Sequence, residues 1–308
     1  DSLVFRFNDE SQEMIGRLRH HVGDIVGSHS FKNEIKYSSL DAESAEVASW
    51  FTRNASGPKY PMLVFIDPFG YKQISRDLLR SIIQVPKSDI LFFFNYRRVN
   101  AALDNDLFES NMNKMFGEER VQLIKLEVDR AKPAEREEII LRHLKESLME
   151  IGANHVGAFV VVQDDQTNTS HYIVGVTKHP KGWELLKKIL HQHSKIGQHT
   201  QSKFGYDPMS VERENRPSLF APLPNRIDQF ADQLHREFKG RTVIFETLYK
   251  QHHPTTEFTE SEYKQAIRQL LASKRAMNYE IDDEPSTSKR RLIKGEQAIP
   301  SHFKISFV

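Results

Sequence analysis

The stretch Met62-Leu63-Val64-Phe65-Ile66-Asp67-Pro68-Phe69-Gly70 sets the architecture. Five consecutive apolar residues closed by Asp-Pro are too short for a buried helix, so they read as a strand buried on both faces. The pattern returns at Ile90-Leu91-Phe92-Phe93-Phe94, with a helix expected from about Ile74 to Ile83 between the two runs. Strand, helix and strand at this spacing predict a parallel pair joined by a crossover.

Toward the start of the chain, Leu3-Val4-Phe5-Arg6-Phe7 and Ile35-Lys36-Tyr37 read as two further strands. Met14, Ile15, Leu18 and Val22 mark a helix after the first of them, and Ala45, Ala48 and Phe51 one after the second. Strand and helix thus alternate four times, which predicts a doubly wound α/β sheet with helices on both faces. Residues 104–152 read as helical, with Ile140, Leu144, Leu148 and Ile151 as their apolar stripe. Two strands follow, Ala158–Val162 and Tyr172–Val176. The polar stretch Asp164–Ser170 between them is too short for a crossover, so they must pair antiparallel. A sheet that closes on a hairpin departs from a nicotinamide-binding domain, which would continue with helical crossovers.

Residues 197–224 hold four prolines and little periodicity, and read as a linker or covering loop. A helix is expected from Asn225, with Ile227, Phe230, Ala231, Leu234 and Phe238 on one face, followed by a short helix over Val243–Tyr249. Thr259-Glu260-Ser261-Glu262 is a capping box that starts a helix carrying Tyr263, Ala266, Ile267, Leu270 and Leu271. Met277–Ile281 and His302–Phe307 alternate like the strands of a wing, with the basic run Lys289-Arg290-Arg291-Leu292-Ile293-Lys294 between them. Helices followed by such a hairpin predict a winged helix. The domains expected are therefore an α/β domain over 1–196, a linker over 197–224 and a winged helix over 225–308.

Composition narrows the chemistry. Forty-three basic residues face 42 acidic ones, for a net charge of +1, so contact with nucleic acid or a membrane surface must come from a local patch. The 308 residues include no cysteine, which excludes disulfides, thiolate metal sites and cysteine nucleophiles from this chain and suits a cytoplasmic location. No apolar run approaches the roughly 20 residues that span a bilayer, so no membrane partner is expected. His191, His193 and His199 do not share a helix face, His20-His21 and His252-His253 read as surface residues, and Trp50 and Trp183 read as packing residues, so no metal is expected.

In an open parallel sheet, ligands bind beyond the carboxyl ends of the strands. Four successive strands deliver polar groups there: Asp9 and Glu10, Asp41, Asp67, and Asn95-Tyr96-Arg97-Arg98. Carboxylates after the first two are placed for a ribose diol and an adenine amino group, and are equally suited to capping the helices that follow. Asp67 is placed to accept a proton or hydrogen bond from an amino group, Pro68 fixes the turn, and Phe69 is placed to stack on a planar substrate. Arg97 and Arg98 are candidates for phosphate, with a solvated helix start as the alternative. Lys289, Arg290 and Arg291 are candidate nucleic-acid contacts, because phosphate binding is largely electrostatic.

The runs Phe5-Arg6-Phe7-Asn8-Asp9, Ser39-Leu40-Asp41, Val64-Phe65-Ile66-Asp67-Pro68-Phe69-Gly70 and Asp89-Ile90-Leu91-Phe92-Phe93-Phe94-Asn95 together resemble the three-Cys-motif partner family. The resemblance implies a bacterial protein with a Rossmann-like, methyltransferase-type sheet, a C-terminal winged helix, S-adenosylmethionine as cofactor and a radical-SAM-like protein with three cysteines as partner. It assigns the ribose to Asp9, the adenine side to Asp41 and the catalytic rim to Asp67. The chain departs from the pattern in two places. Gly70 stands where a second aromatic is common. No strand and glycine-rich loop precede Leu3, so that segment is expected either to lie outside this chain or to belong to a degenerate site. Two functions follow from the sequence: a methyltransferase acting on DNA or RNA, and a non-catalytic adaptor that keeps the fold and binds a protein or nucleic acid through the winged helix.

Overall fold

The computed structural model describes residues 3–27, 33–55, 60–68, 74–133, 135–161, 171–192, 205–206, 226–278, 292–293 and 296–308. The chain divides into two compact units, residues 1–153 and 154–308.

The first unit opens with strand β1 (Val4–Asn8), helix α1 (Gln12–Gly27), strand β2 (Glu34–Ser38) and helix α2 (Ala45–Ala55). β1 and β2 pair in parallel from Val4↔Glu34 to Asn8↔Ser38. Next come β3 (Met62–Ile66), α3 (Arg76–Ile83) and β4 (Ser88–Phe94), with β3 and β4 parallel in register Met62↔Ser88 to Ile66↔Phe92. The expected strand–helix alternation is present, but β1 and β2 form a two-stranded sheet separate from the one that holds β3 and β4. The expectation that Met62–Ile66 is buried on both faces is also corrected. Leu63 and Phe65 are 67% and 56% exposed while Met62, Val64 and Ile66 are half-buried, because one face of β3 is left open. β4 alternates too, with Ser88, Ile90, Phe92 and Phe94 buried.

Four helices complete this unit: α4 (Tyr96–Leu103), α5 (Glu109–Phe116), α6 (Glu118–Arg130) and α7 (Arg136–Glu150). The expected stripe Ile140, Leu144, Leu148 and Ile151 is buried, as are Met112, Phe116, Val121 and Ile124 of the neighbouring helices. Gly117 joins α5 to α6 at φ 90°, a conformation suited to glycine, and a Cβ there would lie 2.9 Å from Nη1 of Arg76. Arg76 and Arg120 both donate to Glu150, and Arg120 also donates to Glu146 at 2.6 Å. That pairing holds the Glu146 carboxyl below its ordinary value. His143 is buried between Arg120 and Glu127, and burial, aided by Arg142, lowers its pKa.

The second unit begins with the expected hairpin. β5 (His155–Val161) and β6 (His171–Thr177) pair antiparallel from His155↔Thr177 to Val161↔His171, and β7 (Gly205–Tyr206) adds in parallel to β5. Helix α8 (Pro180–Gln192) packs on the hairpin through Trp183. The indole lies against Gly157, where an added Cβ would sit 2.1 Å from the ring.

The winged helix follows: α9 (Arg226–Phe238), β8 (Thr242–Ile244), α10 (Phe245–His252), a single 3-10 turn at His253–Thr255, α11 (Glu260–Ala272), β9 (Ala276–Asn278) and β12 (Lys304–Phe307). The short strands β10 (Leu292–Ile293) and β11 (Glu296–Gln297) pair with each other. β12 lies between β8 and β9, antiparallel to both, which is the wing hairpin plus a third strand. The helix expected from Val243 is thus corrected: Thr242–Ile244 is strand, because Val243 and Thr242 pair with Ile305 and Ser306, and the helix starts at Phe245. The capping box forms as expected, with Glu262 Oε2 accepting from the Thr259 amide at 2.7 Å and from its hydroxyl at 2.9 Å. Phe230, Leu234, Phe245, Leu248, Tyr263, Ile267, Ile305 and Phe307 fill the core.

One buried cation joins this domain to α8. Lys187 is 1% exposed, and its ammonium donates to the carbonyls of His253 (2.9 Å), Thr256 (3.0 Å) and Phe258 (2.9 Å). The Trp183 indole N–H donates to the same Thr256 carbonyl at 3.0 Å, and the His155 ring meets the Pro254 carbonyl at 3.0 Å.

This packing can be tested by substitution. Gly157→Ala forces Trp183 off the hairpin and is expected to destabilise the chain by about 1–3 kcal/mol in urea denaturation, as overpacked core sites do. Lys187→Met removes the donor shared by three carbonyls, of which Thr256 keeps the Trp183 indole and His253 keeps the Thr256 amide at 3.3 Å, so at roughly 1–3 kcal/mol for a group left unsatisfied the expected loss is about 1–3 kcal/mol. A midpoint equal to that of the wild-type chain refutes either prediction.

Candidate functional site

The carboxyl ends of β1 and β2 are tied together by side chains. Asn8 Nδ2 donates to the Leu40 carbonyl at 2.9 Å, and Ser39 Oγ donates to the Glu10 carbonyl at 2.9 Å. Asp9 and Asp41 occupy equivalent positions in the two turns. Asp9 Oδ1 accepts from the Ser11 amide at 2.8 Å, and Asp41 Oδ1 accepts from the Glu43 amide at 2.9 Å. Each aspartate thus spends one oxygen on an amide that precedes the helix and shapes the turn, and the cap expected of it falls instead to Ser11 and Ser44, which stand directly before α1 and α2. Ser11 Oγ and Ser44 Oγ cap the two helices by accepting from the Met14 and Val47 amides. Glu10 is exposed beside them.

This pair of turns is linked to the β3–β4 side through α3. Glu43 Oε1 accepts from the Ser75 amide at 2.8 Å, while Ser75 Oγ caps α3 by accepting from the Leu78 amide. Glu43 and Ser75 carry no sequence motif. Their role comes from a contact between residues 32 positions apart.

Asp67 follows β3 and is exposed, with Pro68 half-buried behind it. Phe69 lies outside the described residues. At the end of β4, Asn95 Oδ1 accepts from the Arg98 amide at 3.1 Å and so starts α4. Arg97 is half-buried and Arg98 exposed, as suits the solvated helix start. The hydroxyl of Tyr96 has its pKa raised by burial and by Glu137, against the opposing charge of Arg136.

Asn8 Oδ1 is buried at this rim without a hydrogen-bond partner among the described residues. An orphaned acceptor next to Asp9 fits a ligand that brings hydroxyl or amino donors, which a nucleoside does. Asp9 and Asp41 retain acceptor capacity for the same donors. Among the described residues no group of His, Asp and Glu has the arrangement of a metal site. Of the histidines read against a metal site, His191 lies 3.8 Å from Glu262, while His193 and His199 lie outside the described residues.

In the winged helix, α11 keeps Tyr263, Ala266, Ile267 and Leu270 inside and presents Ser261, Gln265 and Ala272 to solvent. Its charged neighbours are largely engaged within the domain. Lys264 pairs with Glu260 at 2.6 Å, Arg275 with Asp232 at 2.6 Å and Lys250 with Glu246 at 2.5 Å. Lys289, Arg290 and Arg291 lie outside the described residues.

The expectation that His252-His253 is a surface pair is corrected. His252 Nδ1 meets the Tyr263 hydroxyl and its Nε2 meets Glu237, both at 2.8 Å. His253 is 5% exposed and stacks on Tyr249 at 4.6 Å. The aromatic core draws both rings inward. Lys187, the cation beneath this turn, sits in a helical stretch with no motif to mark it.

Among the described residues no helix is long and apolar enough to cross a membrane. No curated protein matches the chain. Residues 197–276 match the family model described as the GMT-like wHTH domain, and the C-terminal part of this chain carries a winged helix of that kind.

Proposed function

We propose that this chain is a methyltransferase-like protein that uses S-adenosylmethionine and engages nucleic acid through its winged helix. The observation that carries the reading is the winged-helix match, because helix-turn-helix folds of this kind present a helix to nucleic acid. The α/β part is supported by two parallel pairs, by the antiparallel hairpin and by the strand-end aspartates beside the orphaned Asn8 acceptor. In this reading Asp9 holds the ribose hydroxyls and Asp41 the adenine edge. Asp67, with Pro68 and Phe69 in its turn, receives the substrate amino group. The cofactor supplies an activated methyl group. The chain's own residues orient the acceptor and remove its proton. Phosphates are contacted by Arg97, Arg98, Lys289, Arg290 and Arg291. The resemblance of the strand-end motifs adds a radical-SAM-like three-cysteine protein as the partner.

A second reading, the non-catalytic adaptor, draws on a specific observation. Lys264 and Arg275 beside α11 are used in pairs within the domain, and of its outward residues Ser261, Gln265 and Ala272 are uncharged while Glu260 is acidic. Such a surface suits a protein partner as well as a phosphate backbone.

Calorimetric titration of the chain with S-adenosylhomocysteine separates the readings. Micromolar binding, about −8 kcal/mol, is expected, and Asp9→Ala should weaken it at least tenfold. No binding to a folded chain sinks the cofactor assignment and leaves the adaptor. Separately, fluorescence anisotropy with duplex DNA and RNA should show binding that weakens steeply between roughly 50 and 200 mM salt if Lys289, Arg290 and Arg291 meet phosphates. A triple alanine variant should then flatten that slope, and an unchanged slope removes the loop from the interface.

A further inference from the structure

The turn between α10 and α11 is closed by an unusual arrangement of charge. Lys187 has left water to meet three carbonyls, and one of those carbonyls belongs to His253. The His253 ring is itself buried, stacked on Tyr249, and its Nδ1 has no hydrogen-bond partner among the described residues. The groups that face it are Lys187 and Glu184 from α8, His155 from β5 and Tyr249 from α10. A proton on His253 would put a second cation into the space that already holds the Lys187 ammonium, with water excluded from both.

We infer that Lys187 and His253 form an acid-sensitive latch: the turn is closed on α8 while the imidazole is neutral and opens when it takes a proton. Opening would free His253–Phe258, and with them the start of α11, from the hairpin and α8. Glu184 and the backbone of His253 itself favour the proton, more weakly than burial and Lys187 oppose it, and the Glu184 carboxylate is already bonded by the Tyr249 hydroxyl. His155 opposes it, as Lys187 does.

The direction with pH follows from the ring's affinity for a proton. Burial, then Lys187, pushes the imidazole down from its usual 6.5 to about 4 in the closed turn. An opened turn therefore binds more protons between those values. The closed form holds its full advantage above about pH 6.5 and loses it as pH falls toward about 4.

Amide hydrogen exchange over residues 253–259 of the full chain tests the latch between about pH 7.5 and 4.5, after correction for intrinsic rates. Protection in the wild-type chain should fall roughly 30-fold or more by about pH 4.5, from a ceiling of about 100-fold set by roughly two pH units of linkage. His253→Phe keeps the stacking and removes the titration, so its protection should change less than about threefold. The His253 ring signal in wild-type NMR spectra should titrate together with the loss of protection, which tests the latch even if the variant does not fold. Wild-type protection that persists to about pH 4.5, a His253→Phe chain that opens at the same pH, or a ring that titrates near about 6.5 with the turn still protected each overturns the latch.

Discussion

A lysine ammonium without water must find its acceptors inside the protein, and the second unit is arranged around that requirement. Lys187 meets three carbonyls of one turn, and the loss of even one would leave the charge poorly compensated. The turn must therefore keep a single shape, and that shape sets where α11 begins. Trp183 and His155 reinforce it from the same side by bonding Thr256 and Pro254. Gly157 is needed in turn because the indole occupies the space of its missing side chain. A strand glycine, a helix tryptophan and a helix lysine thus fix a loop whose bonded residues lie 66 to 73 positions further along the chain.

The consequence for function is that the winged helix is anchored by side chains of its own unit. Its turn is bonded to α8 and β5, so α11 is held relative to the β5–β6 hairpin. A partner bound on α11 would meet a surface set by that hairpin. The network of His252, Tyr263, Thr256 and Glu237, which runs from the core to the surface, stiffens the same region from the other side.

The first unit follows a different logic. Its strand ends carry carboxylates and amides that bond mostly to the neighbouring backbone, so each residue organises a turn and remains at the rim. Asp9 and Asp41 each spend one oxygen on a turn amide and keep further acceptor capacity, because a carboxylate has more lone pairs than one amide uses. Asn8 adds an acceptor left unpaired among the described residues. The open face of β3, with Leu63 and Phe65 exposed, shows that an apolar run specifies strand without specifying what covers it.

Most elements are legible in order and type from the chain alone. Short apolar runs in the first unit, the 3.6-residue stripes of α7, α9 and α11, and the Thr259–Glu262 box are local signals, and local signals survive in one dimension. The antiparallel pairing of β5 and β6 is legible too, because a short connection permits nothing else. The remainder needed the folded chain. Thr242–Ile244 is a strand only because β12 returns beside it from about sixty residues away. His253 is buried and His252 half-buried only because an aromatic core closes over them, and Lys187 is an internal cation only because three carbonyls converge on it. None of these has a local signature, since each is fixed by atoms that the chain brings together from afar.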